Sequence, residues 1–248
     1  MVTTVKVAEI DLFLKDVSNF QYTSCYCEEN IYHLCKTLSE QGLAAKDASD
    51  LFVVFISNPT QRVPFWRQRN SSREGGLCVW DYHVICIQKD LQSDISRVWD
   101  LDTTLSLPVA LSKYAKGALR PEVSLEPNFR RLFRVIRAPL FLRFFASDRR
   151  HMKNREGIWL ASPPPYDCIV AEDGEVHNLP EYNTTLEEQV LPTGEIALDR
   201  FQGERFGLVL SQDALLKLFG GAKTPSISCA PRLSRRNLLC HWQRTADV

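Results

Sequence analysis

The chain has 248 residues, 44% hydrophobic and 24% charged, the make-up of a globular protein with one sizeable core. Thirty basic side chains balance thirty acidic ones, so no net field draws it to nucleic acid or to an anionic membrane. No uninterrupted apolar stretch approaches the roughly 20 residues that span a bilayer.

Residues 1–21 read as a variable leader. Lys6, Glu9, Asp11, Lys15 and Asp16 interrupt its apolar residues, so no signal peptide is expected. Residues 22–221 read as a single domain. Within it, residues 28–41 are predicted as a helix, because Ile31, Leu34, Cys35 and Leu38 recur at helical spacing and Gly42 suits its C-terminal cap. Leu51-Phe52-Val53-Val54-Phe55-Ile56-Ser57 reads as a buried strand closed by Asn58-Pro59.

Residues 77–87 form the longest strand candidate. Period-two alternation puts Trp80, Tyr82, Val84 and Cys86 on one face, and Val79, Asp81, His83, Ile85 and Ile87 on the other. Residues 88–94 then make a hairpin loop and 95–101 the returning strand. Helices are predicted over 109–118 and 139–146, with strands at 133–136 and 206–210. Ser211 caps a short helix over 213–219 that Gly220-Gly221 ends. Residues 172–203, rich in acids, prolines and glycines, read as a surface excursion. Residues 222–248 read as a flexible basic tail, with Lys223, Arg232, Arg235, Arg236 and Arg244 against Asp247.

The eight cysteines are Cys25, Cys27, Cys35, Cys78, Cys86, Cys168, Cys229 and Cys240. With no secretory signal expected, they read as reduced thiols, and Cys35, Cys78 and Cys86 as core residues. A zinc site does not fit. Cys25 and Cys27 are one residue apart, and no second close pair of ligands follows.

Three segments carry chemistry: Ser24-Cys25-Tyr26-Cys27-Glu28-Glu29-Asn30, Trp80-Asp81-Tyr82-His83-Val84 and Trp99-Asp100-Leu101-Asp102-Thr103. They supply a thiol, an imidazole and a carboxylate in that order, as in papain-like and transglutaminase-like enzymes. A thiol nucleophile needs a base to ionise it and a third group to orient that base. Cys27 falls at the first turn of the predicted helix, where N–H groups and the helix dipole favour a thiolate. If the strands at 77–87 and 95–101 pair antiparallel, Asp100 approaches His83. Taken singly, each residue has a plainer role: a spectator thiol, a core histidine, a turn carboxylate. Spacing alone leaves Asp100 and Asp102 undecided. The run 129–155, basic and rich in phenylalanine, reads as a solvated flank of core residues. Its alternative use is a nucleic-acid face.

Together these segments resemble the protein N-terminal glutamine amidohydrolase family. Val53-Phe55-Ile56-Ser57-Asn58, Phe129-Arg130-Arg131, Phe133-Arg134-Val135-Ile136, Phe145-Ala146-Ser147-Asp148-Arg149, His151-Met152-Lys153 and Pro163-Pro164-Pro165-Tyr166 extend the likeness over residues 22 to 221. The resemblance implies an α/β (α+β) fold with a papain-like/transglutaminase-like core, a central, mainly antiparallel sheet flanked by helices. It implies Cys27 as nucleophile, His83 as base and Asp100 as orienting carboxylate. The implied reaction converts an N-terminal glutamine to glutamate with release of ammonia, needing no metal or organic cofactor. It feeds the arginylation branch of the N-degron pathway.

The expected partners are proteins or peptides with N-terminal Gln, with no nucleic acid and no membrane. A monomer in the cytoplasm, and in the nucleus as well, is expected. Reading a chain end requires a group for its α-ammonium, and Glu28, Glu29 and Asp81 are the candidates. Rival readings are a transglutaminase, a cysteine peptidase, and a non-catalytic module using 129–155. The 172–203 excursion and the 222–248 tail depart from the family's pattern.

Overall fold

Leu51 to Ile56 offers no polar side chain to water on either side, so a strand made of it must be covered on both faces. The computed structural model describes residues 17–90, 95–192, 194 and 196–220. Its strands are β1 (Leu51–Ser57), β2 (Val63–Phe65), β3 (Cys78–Trp80), β4 (His83–Lys89), β5 (Ser96–Trp99), β6 (Val109–Ala110), β7 (Leu132–Arg137) and β8 (Leu208–Ser211). Six form one sheet in the order β6-β5-β4-β1-β7-β8, and β2 and β3 form a separate ribbon. Every pairing in the large sheet is antiparallel. All seven residues of β1, at its centre, are buried.

The helices are α1 (Cys27–Glu40), α2 (Leu111–Tyr114), α3 (Ala138–Phe144), α4 (Leu179–Asn183) and α5 (Gln212–Gly220). Side-chain alternation divides the core. Val53 and Phe55 join Val84, Cys86, Trp99 and Ile136 under Ile31, Leu34, Cys35 and Leu38 of α1. Phe52, Val54 and Ile56 join Ile85, Ile87, Val98 and Val135 on the opposite face, against Tyr114, Phe201, Leu215 and Phe219. The fold is therefore a mixed α/β one, a central antiparallel sheet flanked by helices. Each of these large apolar side chains contributes about 1.5–3 kcal/mol on burial. That packing fixes α1 to β4, with Cys35 Sγ 3.8 Å from Cys86 Sγ.

α1 ends as its sequence suggests. Gly42 adopts φ +68, its N–H donates to Ser39 O at 3.2 Å, and the Leu43 N–H donates to Leu38 O at 2.8 Å. This is the paired closure that a left-handed glycine permits. Gly207, at φ +66, has no room for a side chain, since a Cβ there would collide with the Val135 carbonyl.

Several elements differ from expectation. The single strand predicted over 77–87 is broken. Asp81 Oδ1 accepts the Tyr82 N–H at 2.9 Å, which removes that donor from the ladder. Cys78–Trp80 therefore pairs with β2, while His83–Lys89 enters the large sheet. Alternation holds from Tyr82 to Ile87, but Trp80 crosses to the side of His83.

The helix predicted over 109–118 begins at Leu111 and ends in a π turn, Ala115–Leu119. The 172–203 excursion is not wholly superficial, since Leu179, Tyr182 and Phe201 are core residues. The predicted leader likewise sends Phe20 into the core, edge-on to Trp99 at 5.7 Å. Residues 1–16, 91–94 of the hairpin loop, and the 222–248 tail with Cys229 and Cys240 lie outside the described residues. No described helix is long and apolar enough to cross a membrane.

Candidate active site

Cys27 is the first residue of α1, and no side chain caps that end. Of the first-turn N–H groups, which have no intrahelical acceptor, that of Glu28 bonds its own carboxylate. The approach is set by Cys25, held at φ +70, and by Asn30. Asn30 Oδ1 accepts the Thr23 N–H and its Nδ2 donates to Thr23 O, both at 2.8 Å, which brackets the 23–27 turn against the helix. Tyr26 adds a bond from its hydroxyl to Ala161 O at 3.2 Å.

Burial pushes the Cys27 thiol well above its ordinary range, and the charges of Glu28, Asp102 and Asp81 push it further; only a bond from the Val84 backbone opposes them. Burial and these charges all disfavour an ionised sulfur at rest. The Val84 bond brings the thiol against the start of β4, where His83 is the preceding residue.

His83 Nε2 lies 2.9 Å from Asp100 Oδ1, and both residues are buried. A carboxylate only accepts, so Nε2 carries the proton and Nδ1 of the neutral ring holds the free lone pair. Nδ1 is buried and meets no hydrogen-bond partner among the described residues. Burial by itself pulls the imidazole pKa down, but the Asp100 charge and hydrogen bond, with Asp102 behind them, hold it above the ordinary value. Burial likewise works against an ionised Asp100, yet His83, Tyr114 and the Asp102 N–H keep its carboxyl below the usual range.

The pair sits in a closed frame. Trp80 stacks on the imidazole, with centroids 5.5 Å apart and planes 14° apart, and Phe65 meets it edge-on at 5.2 Å. Trp80 Nε1 donates to Gln68 Oε1 at 3.1 Å, and Gln68 Nε2 donates to Asp100 Oδ2 at 3.3 Å. Tyr114 donates to the same Oδ2 at 2.8 Å, and the Asp102 N–H to Oδ1 at 3.0 Å. Donor atoms of His83, Asp100 and Asp102 lie within 4.8 Å of one another, near enough to share a metal ion. Four donors already meet the Asp100 oxygens, however: His83 Nε2 and the Asp102 N–H at Oδ1, Gln68 Nε2 and the Tyr114 hydroxyl at Oδ2.

The carboxylates predicted to read the substrate divide. Glu28 is buried, accepts from Tyr82 at 2.9 Å, stands 3.7 Å from Cys27 Sγ and pairs with His151 at 3.3 Å. Burial disfavours its charge, but His151 and Tyr82 hold the carboxyl below its ordinary range. Asp81 is half-buried at the strand break. Glu29 must be withdrawn from the candidates. Both its oxygens are taken by Arg149, from Nε at 3.0 and 3.2 Å and from Nη2 at 2.9 Å. The pair is buried, and Arg149 also donates to the carbonyls of Pro164, Tyr166 and Asp167. It thus pins the 164–167 loop to α1. Arg149→Met strands the Glu29 charge, and denaturant unfolding should show a loss of about 3–5 kcal/mol. A loss under about 1 kcal/mol, the scale of an exposed pair, would contradict this anchoring role.

The basic run at 129–155 divides: Arg131, Arg134 and Arg149 are buried, while Arg130, Arg143, Arg150, Lys153 and Arg155 form a solvated flank. Arg131 donates to Pro64 O and Leu119 O, and Arg134 to Phe206 O and Thr184 O. Arg143 pairs with Glu172 and Arg150 with Asp148. Phe129, Phe133, Phe141 and Phe145 are buried, so no aromatic stacking platform is built from them.

Nothing in the sequence singled out Gln68, Tyr114 or Tyr22, and strand alternation put Trp80 on the face opposite His83. Gln68, Tyr114 and Tyr22 stand in no recognisable motif with their partners, and Tyr22 donates to Asp102 Oδ1 at 2.6 Å across eighty residues.

Residues 22–219 match a family described as N-terminal glutamine amidase. The chain is 54% identical over 168 residues to a protein N-terminal glutamine amidohydrolase of Arabidopsis thaliana, covering 67% of this chain and 76% of that one. To that of Oryza sativa subsp. indica it is 44% identical over 206 residues, 82% of this chain and 89% of the other. To that of Homo sapiens it is 39% identical over 156 residues, 63% and 74% of the two chains.

Proposed function

Because the chain belongs to the N-terminal glutamine amidase family, we propose that it hydrolyses the side-chain amide of a glutamine at the start of a protein or peptide. The products are the same chain beginning with glutamate, and ammonia. One observation carries the mechanism: the free Nδ1 of His83, whose Nε2 is held by Asp100, stands at the strand start that bonds the Cys27 thiol.

His83 Nδ1 takes the thiol proton, and the Cys27 sulfur attacks the side-chain amide carbon. The oxyanion is held by first-turn N–H groups of α1, that of Cys27 among them. The imidazolium protonates the departing nitrogen, which leaves as ammonia, and a thioester remains. Water, losing its proton to the same Nδ1, attacks the thioester. The acid forms and the thiol is restored. Asp100 keeps the tautomer and stabilises the transient imidazolium. A thiol at a helix start, packed on antiparallel strands that bear the base and the carboxylate, supports kinship with papain-like and transglutaminase-like cores.

The partners would be chains with a free N-terminal glutamine, met by a monomer in the cytoplasm or nucleus. A product beginning with glutamate suits arginyl transfer in the N-degron pathway, as the resemblance implies. Ammonia release and the mass change from amide to acid on a Gln-first peptide test the reaction. The controls are an Asn-first peptide, one whose glutamine is internal, and an added primary amine. Turnover of the Gln-first peptide alone supports the reading. Amine incorporated in place of water would make the protein a transglutaminase, and cleavage of the backbone would make it a peptidase.

A further inference from the structure

A terminal residue differs from an internal one by a cation where the internal one has an amide. A site that reads this difference needs a buried acceptor, beside the nucleophile, with a lone pair still open. Three carboxylates stand around the site: Glu28, 3.7 Å from Cys27 Sγ, Asp102, with donor atoms within 4.8 Å of those of His83 and Asp100, and Asp81 at the break before β4. Glu28 accepts from Tyr82 at Oε2, and its buried Oε1 faces His151 Nε2 at 3.3 Å as an ion pair rather than a hydrogen bond. Asp81 is half-buried and turns Oδ1 to the Tyr82 N–H.

Asp102 is different. It is only 4% exposed, and its backbone is pinned on both sides, N–H to Asp100 Oδ1 and carbonyl to the Arg69 N–H. Its Oδ1 takes the Tyr22 hydroxyl at 2.6 Å, and no donor among the described residues meets Oδ2. Arg69, whose charge reaches it, directs Nη2 at Thr103 O.

We propose that Asp102, held by Tyr22, is the carboxylate that receives the substrate's α-ammonium and so confines the site to chain ends, an inference that rests on the function proposed above. Burial lifts the Asp102 carboxyl above its ordinary range; His83 opposes this, Asp100 adds to it, and Tyr22 and Arg69 oppose it. An incoming cation relieves the cost of that buried charge. It also offsets the negative field on the Cys27 sulfur, so that a terminal glutamine assists its own attack while an internal one does not.

The test compares kcat/KM for a Gln-first peptide with that for the same peptide lacking only its α-amino group. The ratio isolates the contact between carboxylate and ammonium. In Asp102→Asn, which keeps the shape, the ratio should fall by about 10- to 100-fold, the scale of a lost charge-assisted hydrogen bond. Tyr22→Phe should lower it in the same direction by less, and carries the test if Asp102→Asn shows no cooperative melting. An unchanged ratio, or an equal loss on both peptides, would overturn the proposal and leave Asp102 as a group acting only through His83. Wild-type protein inert to both peptides would instead sink the amidohydrolase reading itself.

Discussion

Cys27→Ala should lower turnover of a Gln-first peptide by on the order of 10⁴–10⁶, the scale seen when the nucleophile of a triad is removed. Water held near His83 is a far poorer nucleophile than a thiol that the imidazole can ionise, and the thioester route is closed altogether. Cys27→Ser should be almost as inactive, because a hydroxyl parts with its proton much less readily. Burial and three carboxylates disfavour the thiolate, and the Val84 backbone bond opposes them only in part. Cys27 is half-buried at the edge of the core, so its truncation should leave thermal unfolding nearly unchanged. Ammonia release together with a melting curve checks both halves. Residual activity above a few per cent in a folded Cys27→Ala protein would remove Cys27 from the mechanism.

Asp100→Asn should cost about 10³–10⁴ in kcat, because the amide can donate to Nε2 and so favours the tautomer with its proton on Nδ1. A pH signature accompanies the loss. The base works only when neutral, so kcat/KM falls as pH drops through the His83 pKa of the free enzyme. Burial lowers that pKa, but Asp100 and Asp102 hold it above the ordinary value of about 6.5. The acid limb of the wild-type profile should accordingly lie above that value. Removing the Asp100 charge leaves burial as the leading influence, and the acid limb should move to lower pH. A profile whose limb stays in place while kcat falls would show that His83 does not set it. Tyr114 and Gln68, both bonded to Asp100 Oδ2, should help keep the carboxylate in line with the ring.

Much of this was legible in short stretches of sequence. Ile31, Leu34, Cys35 and Leu38 announce the face of α1, and the apolar run Leu51–Ser57 announces the central strand. Ser211 announces the start of α5, where its Oγ accepts the Ala214 N–H at 3.2 Å. These are near-neighbour effects: side-chain periodicity, caps and turns act within a few residues.

The same limits explain the misreadings. Trp80 keeps strand alternation in the sequence, yet one side-chain bond from Asp81 to the next N–H turns it over His83. Glu29 sits beside Cys27 in the chain, yet Arg149, 120 residues away, occupies it. Sequence by itself thus determined the face of α1, the central strand and the start of α5, the order of thiol, imidazole and carboxylate, and the family likeness. Only the tertiary structure decided that Gln68, Trp80 and Tyr114 frame His83 and Asp100, and that Glu29 is structural while Asp102 keeps an open oxygen. Those partners are chosen by strand order and register, which bring together residues whose separation along the chain carries no periodic signal.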